Sequence, residues 1–226
     1  MRHIYCFSGL GADHRLFQNL EIKDAEMHAI HWEIPSAQDT MATYALKLAK
    51  QIKHNRVVLL GVSFGGMLVT EVAAHLHQLE HTIDVEKVIV VSSCKSHYEL
   101  PFVMRMAGKI RLHKLAPYQF ILRNNKLNRI AFSMQSQEEE LYLKRQMLEN
   151  SSIEYIKISI NIILSWKAGK VPDNIIHIHG NKDRLLRPGS VKADYWIENA
   201  GHFMVWNKAS EISKIINDLF KDSPKN

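Results

Sequence analysis

The sequence predicts an α/β protein: a doubly wound, mainly parallel six-stranded sheet with helices on both faces and a helical insertion in mid-chain. Three observations carry this. Apolar runs without alternation, such as "RVVLL" (56–60) and "KVIVV" (87–91), read as strands covered on both faces, as parallel sheets require. Helical patterns follow these runs in turn. The alternation stops between about Lys95 and Gly169 and then resumes.

Each element has its own signal. "HIYCF" (His3 to Phe7) is a short buried strand stopped by "SGLG". "DHRLFQNL" suits a short helix, and "MHAIHW" (Met27 to Trp32) a second strand ended before Pro35. Met41, Tyr44, Ala45, Leu48 and Ile52 fall on one helical face, with Asp39 or Thr40 as N-cap. A strand over Arg56 to Gly61, a helix over Met67 to Leu79 and a strand over Lys87 to Ser93 follow. Three helical segments, 100–115, 118–132 and 138–150, then replace the strand pattern. Alternation returns with a strand over Asn174 to Gly180 and another from about Ala193. A last amphipathic helix carries Ile212, Ile215, Ile216 and Leu219 on one stripe. Residues 1–94 and 170–226 therefore form the expected core, and 95–169 a helical insertion over the carboxyl edge of the sheet.

The 226 residues suffice for one large core. A formal charge of +6, from 29 basic and 23 acidic side chains, is mild for this length and reads as a solvated basic surface. No recognition-helix, zinc-finger or RNA-binding motif accompanies it, so nucleic acid is not an expected partner. Cys6 and Cys94 adjoin apolar runs and read as small buried hydrophobes. No disulfide framework, leader-like apolar region or membrane-length run is evident, so a cytoplasmic location is expected.

Chemistry concentrates in "GVSFGG" (Gly61 to Gly66), between a strand and a helix. G-x-S-x-G there sets the serine on a sharp, strained turn at a helix N-terminus, where free N–H groups favour negative charge. Ser63 is the candidate nucleophile, with Gly61 and Gly65 giving clearance. An ordinary glycine-rich turn is the plainer reading; a P-loop lacks its lysine here. Serine needs a base. Among 13 histidines, His202 in "ENAGHFMVW" follows the last strand at the carboxyl edge. His75, His77, His177 and His179 lie inside elements and read as packing or surface residues. Asp183, just past a strand in "HGNKDRLLRP", suits the carboxylate that orients the imidazole. Asp173 lies at the wrong end of that strand, and Asp194 reads as structural. Oxyanion donors are expected from the backbone N–H groups of Phe64 and of Leu10, in the loop "FSGLGAD". No metal-ligand motif or cofactor is evident.

"SGLG", "GVSFGG", "HGNKDRLLRP" and "AGHF", in this order, resemble the α/β-hydrolase superfamily over nearly the whole chain. The resemblance implies that fold, with a trimmed N-terminus, since relatives often carry an extra hairpin before the first strand. It also implies a Ser63–His202–Asp183 triad and a cap formed by 95–169. Ser8-Gly9 stands where many relatives have His-Gly. Ser63 stands where dehalogenase and epoxide-hydrolase relatives use aspartate, which argues against those chemistries. The expected activity is hydrolysis of a carboxylic ester or thioester through an acyl-enzyme. The alternative is a non-hydrolytic member of the fold, a small-molecule receptor or a lyase. Arg105, Lys109, Arg111, Lys114, Arg123 and Lys126, against Glu99 alone, make the start of the insertion basic. Interleaved Phe102, Val103, Met106, Ile110, Leu112, Phe120 and Ile121 suit an acyl pocket. A solvated amphipathic helix explains the same residues. The sharper expectation is an anionic carrier, acyl-carrier protein or coenzyme A, as for enzymes resembling carrier-protein methyl ester esterases.

Overall fold

The computed structural model describes residues 1–79, 82–110, 129, 134, 136–150, 152–167 and 171–221. In chain order the elements are β1 (Arg2–Phe7), β2 (Ala25–Ala29), α1 (Met41–Ala49), β3 (Arg56–Val62), α2 (Phe64–Ala74) and β4 (Asp84–Val91). Then come α3 (Phe102–Lys109), α4 (Gln137–Asn150), α5 (Ile153–Leu164), β5 (Ile175–Gly180), β6 (Tyr195–Ile197), α6 (Met204–Asn207) and α7 (Ala209–Lys221). The six strands form one sheet in the order β2-β1-β3-β4-β5-β6, and every pairing is parallel.

Strand alternation explains the two-sided core. Tyr5, Phe7, Val57, Leu59, Val88 and Val90 face one way, against α1, α2 and Ile162 and Ile163 of α5. Ile4, Cys6, Val58, Leu60, Ile89 and Val91 face the other, against Ile212, Ile216 and Phe220 of α7. Both cysteines are buried, as expected, and burial pushes their thiols well up. The chain winds from β1 outward to β2, then crosses back to β3 on the far side of β1. The carboxyl ends of β1 and β3 therefore flank the topological switch point, where open α/β sheets form their crevices.

Boundaries differ from the sequence expectation in instructive ways. β2 runs Ala25–Ala29, earlier than Met27 to Trp32, because Trp32 leaves the sheet to donate its Nε1–H to Ala12 O at 2.7 Å. α1 stops at Ala49, and a tight turn with Ile52 N–H donating to Ala49 O buries Ile52. α2 starts at Phe64 and ends at Ala74, rather than spanning Met67 to Leu79. β4 begins three residues early, at Asp84, where Glu86 holds the Arg2 guanidinium at 3.0 Å.

Between β4 and β5 the described elements are all helical. The segment 118–132 lies almost wholly outside the described residues. The sequence pattern gives α5 no separate helical signal; its isoleucines suggest a strand by propensity. Tyr155, Ile156, Ser159, Ile162 and Ile163 are nonetheless buried at helical spacing, so packing overrides propensity here. No described helix is long and apolar enough to cross a membrane.

Candidate active site

Ser63 follows β3 directly and precedes α2, with φ 53° and ψ −118°. An L-residue rarely occupies this region, so the turn stores strain that its surroundings must hold. Two close approaches do so. A Cβ at Gly61 would overlap the Gly65 carbonyl, and a Cβ at Gly65 would overlap the carbonyls of Phe7 and Ser8. Ser63 N–H donates to Val91 O at 3.0 Å, and Ser93 Oγ–H donates to Ser63 O at 2.6 Å. The serine backbone is thus anchored to β4, while its side chain stands at the switch point.

Asp183 and His202 come from the loops after β5 and β6. Those loops are tied together: Asn181 N–H donates to Ile197 O at 3.1 Å, and Lys182 N–H to Ala200 O at 2.9 Å. Asp183 Oδ2 lies 2.7 Å from His202 Nδ1, and His202 Nε2 lies 2.9 Å from Ser63 Oγ. A carboxylate only accepts, so Nδ1 carries the proton, and Nε2 is left to accept from the Ser63 hydroxyl. Asp183 Oδ1 accepts from the N–H groups of Leu185 and Leu186, both at 2.9 Å. Burial alone would raise this carboxyl, but the neighbouring imidazoles of His202 and His179 and these hydrogen bonds outweigh it and hold it below the ordinary value. Asp183 and His202 are buried, whereas Ser63 is half-buried and open to a reactant.

The predicted Ser63, Asp183 and His202 side chains therefore meet in one hydrogen-bonded row. Leu10 and Phe64 flank it. Phe64 is the first residue of α2, so its N–H belongs to the free amino end of the helix. Leu10 follows Gly9, whose added Cβ would stand 3.5 Å from Ser63 Cβ. Asp194 lies apart from the row and accepts from His177 N–H at 2.7 Å, a structural role.

Sequence reasoning missed several neighbours. Behind Asp183, His179 Nε2–H donates to Leu186 O at 2.9 Å and lies 3.5 Å from Asp183 Oδ2. Its Nδ1 then accepts from His177 Nε2–H at 3.1 Å. Burial pushes both imidazoles down, His177 to about 3, which keeps them neutral. Their alternation within an apolar strand was the available signal. On the other side, Trp32 stacks on Phe64 with centroids 5.7 Å apart. Trp32 and Leu10 also pack with Tyr155 and Ile156 of α5 into a small apolar cluster beside the serine turn. From α4, Tyr142 packs against Trp206 with its ring tilted by 31° and centroids 3.9 Å apart, next to the His202 loop.

The basic residues of the insertion divide. Arg111, Lys114, Arg123 and Lys126, with Leu112, Phe120 and Ile121, lie outside the described residues. On α3, Lys109 is exposed and Arg105 half-buried. Phe102, Val103, Met106 and Ile110 are exposed, so they do not line a closed pocket.

No match was found among curated proteins. Solved structures share the fold at low identity. An esterase from Thermogutta terrifontis is 14% identical with a TM-score of 0.69, over 98% of this chain and 90% of that one. A Bacillus megaterium epoxide hydrolase is 12% identical with a TM-score of 0.69, over 98% and 94%. An enol-lactonase from Burkholderia xenovorans LB400 is 16% identical with a TM-score of 0.64, over 98% and 92%. These likenesses are to the α/β-hydrolase fold. Residues 40–206, which span Ser63, Asp183 and His202, match the family model described as BAAT / Acyl-CoA thioester hydrolase C terminal, and the chain belongs to that family.

Proposed function

We propose that the protein is a serine hydrolase that cleaves a carboxylic ester or thioester, with a coenzyme A thioester as the favoured substrate class. The observation that carries this reading is the unbroken row from Asp183 through His202 to Ser63, at 2.7 and 2.9 Å, on a strained turn at the sheet's switch point. The family match favours the thioester.

In this reading His202 Nε2 takes the Ser63 proton as Oγ attacks the acyl carbon. The negative charge that forms on the carbonyl oxygen is held by the N–H groups of Leu10 and Phe64. Each such donor is worth roughly 10²–10³ in rate. His202 then protonates the departing thiolate or alkoxide, leaving an acyl group on Ser63. Water, deprotonated by His202, attacks that ester and releases the acid. Asp183 keeps the proton on Nδ1 and stabilises the imidazolium. The apolar cluster of Leu10, Trp32, Tyr155 and Ile156 offers a surface for the acyl chain, and the insertion between β4 and β5 serves as the cap.

The test is labelling with a fluorophosphonate alongside a panel of acyl-coenzyme A and p-nitrophenyl esters. Labelling of the native chain is expected, with turnover lost by at least about 10³-fold in Ser63→Ala. Absence of labelling would point to a receptor. Labelling without turnover of any ester or thioester would point to a lyase.

A further inference from the structure

A second cluster of reactive side chains stands at the opposite end of β1 from the serine turn. In-register pairing of β1 with β2 sets His3 beside Glu26 and Tyr5 beside His28. Alternation puts all four side chains on one face of the sheet. His54, in the connection before β3, reaches the same place. His3 Nδ1 lies 3.0 Å from His28 Nε2. Glu26 Oε2 lies 3.4 Å from the first of these nitrogens and 3.7 Å from the second. The imidazoles of His3, His28 and His54 each offer a nitrogen, all within 4.8 Å of one another.

These separations have a meaning. Four ligands around a zinc-sized ion at 2.0–2.1 Å stand about 3.3 Å apart along each tetrahedral edge. The His3, His28 and Glu26 atoms already form such a face. We propose that His3, His28, Glu26 and His54 form a binding site for a divalent transition metal of the zinc type.

Imidazole with one carboxylate suits zinc better than calcium or magnesium, which take oxygen ligands. Binding moves the proton that lies between His3 and His28 to the far nitrogen of the ring that carries it, so that both facing nitrogens can accept the ion. His54 lies flat on His3, with ring centroids 3.5 Å apart and planes 9° apart. It must turn out of that stack to point a nitrogen at the ion. Its Nδ1 is 2.8 Å from Tyr5 Oη, which also accepts from Lys53 N–H. The nearby cations are spoken for: Arg2 and Arg56 both turn to Glu86, at 3.0 and 3.7 Å. The site is also reachable. His3 and His54 line an open groove of about 480 Å³ at the amino edge of the sheet, and Glu26 is exposed.

The test is calorimetric titration of the full chain, prepared without a histidine tag, with zinc chloride. Cobalt(II) absorption serves as a second readout. Saturable binding of one ion per chain at micromolar concentration is expected, with the intense visible bands of four-coordinate cobalt. His28→Ala and His3→Ala should each weaken binding by at least about 10-fold, and Glu26→Gln by a similar factor. His77→Ala, an exposed histidine elsewhere, should change nothing. Circular dichroism and thermal melting of each variant check folding, and any variant that does not fold is replaced by His28→Gln or His3→Gln. No saturable binding below about 100 µM, far weaker than a structural zinc site, overturns the proposal. So does binding that is equally strong in the His3 and His28 variants, or equally weakened in His77→Ala.

Discussion

At the scale of single residues, what matters is which proton sits where. Asp183 accepts from His202 Nδ1–H at 2.7 Å and from two backbone N–H groups, so it has no capacity to donate. Asp183→Asn would present an amide that can donate to Nδ1, and the imidazole proton would move to Nε2. Ser63 would then face a donor where it needs an acceptor. Steady-state kinetics should show kcat reduced roughly 10³–10⁴-fold with KM little changed. An unchanged kcat would detach Asp183 from the reaction. Ser63, Asp183 and His202 were legible because each follows a strand and so must emerge at the same rim. Ser93, which donates to Ser63 O at 2.6 Å, was not. A serine after an apolar strand has no local pattern that tells a backbone clamp from a turn, and only the β3–β4 pairing brings it to the nucleophile.

At the scale of elements, β5 is the strand whose chemistry the sequence concealed. Its apolar run "IIHIHG" announced a buried strand, but not what two histidines inside it would do. Both are fully buried, His177 Nε2–H donating to His179 Nδ1. Burial holds His177 near 3, against an ordinary 6.5. Between those values the unfolded chain binds a proton that the folded chain does not. Stability contributed by the neutral imidazole is therefore present above about 6.5 and falls as pH drops toward 3. The slope from one such group is about 1.4 kcal/mol per pH unit. His177→Gln keeps a donor near Nε2 and removes the titration. Urea unfolding midpoints followed from pH 7 to 4 should fall less steeply in this variant than in the native chain. Parallel curves would mean that His177 is not buried neutral. The same contrast explains α5. Periodic burial of Tyr155, Ile156, Ser159, Ile162 and Ile163 makes it a helix, yet isoleucine-rich composition reads as strand until the partner surface of α2 and the β1 loop is known.

For the whole molecule, the question is whether its charge guides a substrate. The formal charge is +6, and exposed Lys109 lies on α3, within the segment proposed as a cap. A coenzyme A thioester carries several negative charges on its phosphates, whereas a p-nitrophenyl ester carries none. Long-range attraction acts on encounter, so it enters kcat/KM rather than kcat. Screening shortens its reach from about 10 Å at 0.1 M salt to about 3 Å at 1 M. Raising salt from 0.05 to 0.5 M, a range spanning roughly a threefold change in that reach, should lower kcat/KM for the thioester several-fold and leave the neutral ester nearly flat. Lys109→Glu should lower the thioester value at low salt and flatten its salt response, because the attraction it removes is the one that salt screens. The turn at Ser63 is far less sensitive to ions, since its partners are buried and in direct contact. Equal salt responses of the two substrates, or a Lys109→Glu variant indistinguishable from the native chain on both, would leave the hydrolase reading intact. They would remove charge as the means by which the protein selects its acyl carrier.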